Sequence, residues 1–260
     1  MELRICHLYP DLLNLYGDRG NIITLIRRAR WRGIDVSVAE RPVGASIAAE
    51  DCDLFFIGGG EDRQQRLAAE DLRVVKGDAL REAARAGKVV LAVCGGYQLL
   101  GHYYRPAEGE DLIGLGLLDL ATHHPGPGAR RLIGNILIES DLLGGRTLVG
   151  FENHGGRTRL GPGARPLGRV LAGFGNNGED RCEGAVSGSV FGTYLHGPLL
   201  PKNPEFADLL IARALASRWG DVVLPPLNDA LEATAHRAAA ARAHPGGPDS
   251  RREGAPRAHA

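Results

Sequence analysis

Two hydrophobic periodicities alternate along the first hundred residues. Leu3, Ile5 and Cys6-His7-Leu8 read as a mostly buried strand, whereas Ile22, Leu25, Ile26 and Ala29 recur at helical spacing. Asn21 is placed to cap that helix and Gly33 to end it. Ile34, Val36 and Val38 alternate as a strand, and Asp53-Leu54-Phe55-Phe56-Ile57 is a short apolar run that stops at Gly58-Gly59-Gly60. A broken helical stretch follows from about Asp62 to Ala86, interrupted at Gly77, with Asp78 as a new cap and Gly87 as the stop. Lys88 to Val93 is the next strand. Helices alternating with apolar strands predict an α/β fold, an open, mostly parallel sheet with flanking helices.

Beyond residue 110 the pattern changes. Ile133 to Ile138, Thr147 to Glu152, Arg169 to Ala172 and Ser189 to Tyr194 are short strand candidates between glycine-rich turns, with no helices between them. They predict an antiparallel extension of the same sheet. Asn203-Pro204, at cap and first helical positions, opens a last helix that ends at Gly220. From about Leu227 the composition shifts to Ala, Arg, Pro, Gly and His. The expected organisation is one domain over residues 1–225 and an extension over 226–260, with a disordered tail from about His236.

Composition narrows the classes. With 43% hydrophobic residues in 260, the chain has apolar surface for one sizeable core, or at most two small ones. Thirty-one basic and 31 acidic side chains cancel, so global electrostatics give no reason to expect a nucleic-acid partner. The run Arg27-Arg28-Ala29-Arg30-Trp31-Arg32 reads as the solvated face of an amphipathic helix. No apolar run approaches the roughly 18 residues of a membrane span, and Met1-Glu2-Leu3-Arg4-Ile5 is unlike a signal peptide, so a cytoplasmic protein without membrane insertion is expected. Cys6, Cys52, Cys94 and Cys182 lie far apart without C-x-x-C spacing, and His123-His124 lacks the i, i+4 spacing of a helical metal pair. No metal and no cofactor is expected.

The most informative segment is Val89-Val90-Leu91-Ala92-Val93-Cys94-Gly95-Gly96-Tyr97-Gln98-Leu99-Leu100. A buried strand runs into a reactive residue type, two glycines leave a sharp turn unobstructed, and an apolar helix begins. That is the mechanical logic of a nucleophile elbow, which lifts the sulfur out of the carboxyl end of a sheet. The following N–H groups, at a helix N-terminus, can stabilise a thiolate and a developing oxyanion. A free cysteine is more often a small buried hydrophobe. Only Cys94 has a context that argues otherwise. A thiol needs a base, and two histidines sit in glycine loops past strands: His196 in Gly192-Thr193-Tyr194-Leu195-His196-Gly197-Pro198 and His154 in Glu152-Asn153-His154-Gly155-Gly156. The chain has no G-x-x-x-x-G-K-[ST] segment. Its G-x-G-x-x-G match, Gly173 to Gly178, lacks a helix behind it and reads as a hairpin turn.

Ala92-Val93-Cys94-Gly95-Gly96-Tyr97-Gln98 resembles the Cys-x-Gly-x-Gln elbow of class I glutamine amidotransferases, and Gly192 to Gly197 resembles the histidine motif of their cobyric-acid-synthase-like branch. Leu13-Asn14-Leu15-Tyr16-Gly17-Asp18-Arg19-Gly20-Asn21-Ile22, Phe55 to Arg63, Gly150 to Thr158 and Gly175-Asn176-Asn177 are similar to the glutaminase subunits of lipid II isoglutaminyl synthases. These segments span about residues 5 to 205. The resemblance implies a flavodoxin-like amidotransferase fold and a division of labour. This chain would hydrolyse L-glutamine without a cofactor. Its ammonia would pass, in a heterodimer, to a Mur-ligase-like ATP-binding subunit that amidates the D-glutamate of the lipid II stem peptide to D-isoglutamine. Lipid II would be met only through that partner, at the inner membrane face.

Carried over residue by residue, Cys94 would form a γ-glutamyl thioester and His196 would move the protons. Backbone N–H groups of Gly60 and Gly95 would hold the oxyanion. Arg131 and Gln98 would bind substrate, with Asn153 and His154 lining the pocket. Many class I amidotransferases carry a Glu two residues after the histidine, where this chain has Pro198. A Cys-His dyad is therefore expected, its ring oriented by another group such as Glu152, a backbone carbonyl or water. Competing readings are the amidotransferase subunit of a corrinoid-type synthetase, a cysteine hydrolase or peptidase on a similar sheet, and a non-catalytic binding module.

Overall fold

The computed structural model describes residues 1–244. Its first half follows the apolar periodicity. β1 (Glu2–Leu8), α1 (Arg19–Arg30), β2 (Asp35–Arg41), β3 (Leu54–Ile57), α2 (Asp62–Asp71), α3 (Gly77–Arg85), β4 (Val89–Val93) and α4 (Gly95–Leu100) succeed one another. The second half adds β5 (Tyr103–Arg105), β6 (Leu112–Ile113), β7 (Leu120–His123), β8 (Leu132–Ser140), β9 (Arg146–His154), β10 (Arg157–Leu160), β11 (Gly168–Ala172), β12 (Cys182–Glu183), β13 (Ala185–Ser187) and β14 (Val190–Thr193). Two helices close it, α5 (Pro204–Trp219) and α6 (Ala230–Ala243).

The central sheet has the order β13-β14-β4-β3-β1-β2, and only β13 runs antiparallel. β3 and β4 are buried at every position, as interior parallel strands are, which is why both read as unbroken apolar runs. The antiparallel extension of this sheet is β13 alone. β8 and β9, nine residues each, pair with one another over their whole length and form a separate sheet, β12-β11-β8-β9. A third sheet is ordered β10-β7-β5-β6. Gly173 to Gly178 joins the antiparallel pair β11 and β12, as a hairpin turn should.

Several local expectations are corrected by longer-range contacts. Asn21 lies inside α1 rather than at its cap, and its side-chain oxygen accepts the Leu200 N–H at 2.9 Å. Asn203 precedes α5, but its amide bonds the N–H and C=O of Val149 instead of capping the helix. Asp78 is the second residue of α3 and pairs with Arg81, while a wide π-turn over Leu72–Lys76 joins α2 to α3.

The arginine run is a solvated face only at Arg27 and Arg30, and the expected tail is in part a helix. Arg28 is almost fully buried, bonded through Nε and Nη2 to Asp208 and through Nη1 and Nη2 to Asp229, and Arg32 also reaches Asp208. Asp229 immediately precedes α6, so this ion cluster anchors the helix. Ala239, Ala240 and Ala243 of α6 then pack on Leu137, Val149 and Ala172 of the β8-β9-β11 sheet. His236, expected in a disordered tail, bridges Thr147 and the Lys202 carbonyl. An alanine-rich segment shows little hydrophobic periodicity, and its small side chains suit close approach to a sheet. The rest of the tail reading, residues 245–260, lies outside the described residues. Arg28→Met, which leaves Asp229 without its cation and Asp208 with Arg32 alone, is expected to lower stability by about 2–4 kcal/mol in urea unfolding. A change below about 1 kcal/mol contradicts the anchor.

Candidate active site

Four adjacent strands of the central sheet, β14, β4, β3 and β1, each release the chain at the carboxyl end into one part of the site. Open α/β sheets place their ligands at that edge. β4 ends on Cys94, β3 on Gly58-Gly59-Gly60, β14 on the segment holding His196, and β1 on the loop that reaches Asp18.

Cys94 has φ 50° and ψ −106°, a conformation that costs a residue with a side chain about 1–3 kcal/mol. Neighbouring backbone holds it there. The Cys94 N–H donates to Thr193 O at 2.8 Å, and the Gln98 N–H donates to Cys94 O at 3.0 Å. Gly96 is pressed against β3: a Cβ there would lie 2.6 Å from Ile57 Cγ2. The turn therefore needs the glycine that the sequence supplies.

His196 is fully buried, and its backbone forms an antiparallel bridge with Phe151 of β9. Its ring and Cys94 meet across Gly59, where a Cβ would lie 2.8 Å from His196 Cε1 and 3.2 Å from Cys94 Cβ. His196 Nδ1 is 3.4 Å from Asp18 Oδ1, and Asp18 Oδ2 accepts the Gly59 N–H at 2.7 Å. Asp18 is itself fully buried. Burial opposes a charge on the imidazole, but the Cys94 sulfur and Asp18 outweigh it and push the His196 pKa up to about 10.

The carboxylate beside the His196 ring is thus Asp18, not Glu152. Glu152 spends its carboxylate elsewhere, accepting the Phe174 N–H at 2.7 Å and the Gly175 N–H at 2.9 Å. Those bonds occupy two N–H groups of the glycine turn that a phosphate would otherwise need. Asp18 was legible only as part of the Leu13 to Ile22 resemblance. Nothing in its spacing places it opposite a residue 178 positions away.

Beside Cys94 lies a cavity of about 530 Å³ whose lining includes Gly60, Cys94, Gln98, Arg131, Asn153 and His154. Six of the eight expected site residues converge there. His196 and Gly95 are buried next to it. Neither the Gly60 nor the Gly95 N–H has a protein acceptor among the described residues. Gln98 is braced rather than free: its Oε1 accepts from Gln65 Nε2 at 2.6 Å, and its Nε2 donates to the Tyr194 hydroxyl at 3.0 Å. His154 stacks on Tyr194, ring centres 3.6 Å apart, and bonds the Gly156 carbonyl through Nδ1. Burial pushes its pKa down to about 4, so it is a neutral wall at pH 7.

Arg131 donates through Nε to Asn153 Oδ1 at 2.8 Å and through Nη2 to Asn153 O at 2.9 Å. The Asn153 amide in turn donates to the Tyr16 hydroxyl. Tyr16 sits edge-on to His196, ring centres 5.0 Å apart, and lines the cavity. Sequence reasoning missed Tyr16 and Gln65, whose side chains act only through folded neighbours.

Residues 4–204 match the CobB/CobQ-like glutamine amidotransferase domain family. The chain belongs to that family. It is a glutamine amidotransferase, and its fold is that of class I members. Over 213 residues it is 50% identical to the lipid II isoglutaminyl synthase (glutamine-hydrolyzing) subunit GatD of Staphylococcus aureus, covering 82% of this chain and 84% of that one. The GatD subunit of Streptococcus pneumoniae is 40% identical over 231 residues, 88% of this chain and 87% of that one. A crystal structure of a glutamine amidotransferase superposes with a TM-score of 0.56 at 18% identity, covering 80% of this chain and 98% of the other, a likeness of fold. Among the described residues, no helix of this amidotransferase is long and apolar enough to cross a membrane.

Gly59→Ala in this amidotransferase is expected to force Cys94 and His196 apart and to lower glutamine turnover more than about 10²-fold. Thermal unfolding serves as the check that the chain still folds. Near-normal turnover by a folded variant contradicts the close approach.

Proposed function

We propose that this chain is the glutaminase subunit of a lipid II isoglutaminyl synthase. The observation that carries the reading is the meeting of Cys94, His196 and Asp18 around Gly59, beside a cavity that holds Arg131. The near-full-length likeness to the two GatD subunits supports the acceptor.

The reaction follows from the parts. Cys94 passes its proton to His196 as its sulfur attacks the carboxamide carbon of glutamine. The Gly60 and Gly95 N–H groups, free of protein acceptors, receive the developing oxyanion. Collapse of the tetrahedral intermediate breaks the C–N bond as the His196 imidazolium gives its proton to the departing nitrogen, leaving ammonia and a γ-glutamyl thioester. The neutral imidazole then takes a proton from water, whose oxygen attacks the thioester carbon. Glutamate leaves, and the proton on His196 returns to the Cys94 sulfur. Asp18 favours the charged ring and fixes which nitrogen faces sulfur, the service that the absent Glu would give. The ammonia passes to a Mur-ligase-like partner that spends ATP on the stem-peptide carboxylate. That division suits a chain without a phosphate-loop segment.

The purified chain is expected to release ammonia and glutamate from L-glutamine, and Cys94→Ala to release none. With the ligase-like subunit, ATP and lipid II, the product is amidated lipid II. A folded chain inert both alone and with that subunit overturns the reading. Because Asp18 favours the protonated ring, Asp18→Asn lowers the His196 pKa. The alkaline limb of the kcat profile, expected near pH 10, then moves to lower pH, with kcat down on the order of 10²-fold. An unmoved limb removes Asp18 from the mechanism.

A further inference from the structure

The cavity is wider than a single amino acid requires, within the usual range of small-molecule sites, about 300–1,000 Å³. Shape alone therefore does not separate free glutamine from a carboxamide at the end of some other chain. Charge on the wall can. The charged side chains lining the cavity are Glu61, Asp62, Arg63 and Arg131.

Arg131 and Asp62 differ from the other two in how they are held. The two bonds from Arg131 to Asn153 fix the guanidinium plane and leave Nη1 without a protein acceptor among the described residues. Nη1 also lies close to Gly155 on the cavity wall, 3.4 Å from where a Cβ of Gly155 would be. Asp62, the first residue of α2, accepts the Tyr104 hydroxyl through Oδ1 at 3.3 Å and has no protein donor to Oδ2 among the described residues. Tyr104 is buried and also lines the cavity, its ring next to Gly156. Gly155 and Gly156 thus form a strip of wall with the braced cation at one end and the braced carboxylate beyond the other. Glu61 enters the start of α2 through Gln64, which accepts its N–H at 3.0 Å, and Arg63 has no hydrogen-bond partner among the described residues.

We infer that Asp62 is a specificity-determining residue that receives the α-ammonium of free L-glutamine while Arg131 takes its α-carboxylate. This rests on the glutaminase reading and deepens it. The site reads both charges of a free amino acid, so a glutamine within a peptide, lacking both, is rejected although its carboxamide is the same. An acid at the first position of a helix also stabilises that helix. The two roles separate because only the recognition role depends on whether the ligand carries an ammonium.

The test uses the full chain with Cys94→Ala, so that ligand is bound but not turned over, and calorimetric titration with L-glutamine and with 5-amino-5-oxopentanoate, which lacks the ammonium. Asp62→Asn is expected to weaken L-glutamine binding about tenfold and leave the des-amino compound unchanged, while Glu61→Gln alters neither. In the chain that retains Cys94, the same substitution raises KM for L-glutamine with little change in kcat. Equal weakening of both ligands, no weakening of either, or a selective loss in Glu61→Gln instead overturns the assignment. If the binding pattern holds while the chain that retains Cys94 hydrolyses no glutamine, the ligand assignment stands and the hydrolytic reading falls. Hydrolysis that proceeds with an unaltered Asp62→Asn preference sinks the assignment alone.

Discussion

Everything in the site depends on the close approach at Gly59. The strained Cys94 turn, the His196 ring and the Asp18 carboxylate occupy the space around one residue that has no side chain. Each is delivered by a different strand, so no local segment can hold the arrangement alone. The sheet order β14-β4-β3-β1 makes those strands neighbours, and the parallel pairing brings their carboxyl ends to one edge. The conformational cost at Cys94, about 1–3 kcal/mol, is offset by the surrounding packing. A sheet that slipped by one residue would carry its loop and side chain away from the other three.

The molecule divides its work between sheets. The loops and helices that follow the central parallel strands supply Cys94, His196, Asp18 and the cavity lining at Leu15, Tyr16, Gly60 to Arg63, Gln65 and Gln98, and the two outer sheets supply the rest of that lining. Arg131 precedes β8, Asn153 and His154 end β9, and Gly155-Gly156 turn into β10. The halves are sewn together by the backbone bridge between Phe151 and His196 and by the Asn153–Tyr16 contact. The loop after β1 therefore answers to both sides, holding Asp18 against His196 and Tyr16 against Asn153. That coupling places Arg131 in one bonded chain with Tyr16, which packs edge-on against His196.

Legibility in the sequence followed the range of the interactions. The βαβ opening, the Cys94 turn and the extent of α5 depend on periodicity and glycine placement within a few residues, and they are as read. The grouping of β8, β9 and β11 into their own sheet was not legible, because pairing partners are not written in a single strand's pattern. The buried Arg28 looked like one more surface cation, since its partners Asp208 and Asp229 lie about 200 residues away in sequence. Half of α6 reads as tail in the sequence because alanine packs on a sheet without leaving an apolar stripe. Asp18 was hidden in the same way: a carboxylate becomes the orienting group for an imidazole only when two strand ends meet.

The central claim is that Cys94 alone is the nucleophile and that His196 makes it so. It is tested most directly by a glutamine analogue bearing a diazoketone in place of the carboxamide, with the modified residue located by mass spectrometry of the full chain. The account predicts one adduct, on Cys94, suppressed by excess L-glutamine and largely lost in a folded His196→Ala variant. Modification of Cys6, Cys52 or Cys182 instead, or labelling of Cys94 that His196→Ala leaves undiminished, would contradict it.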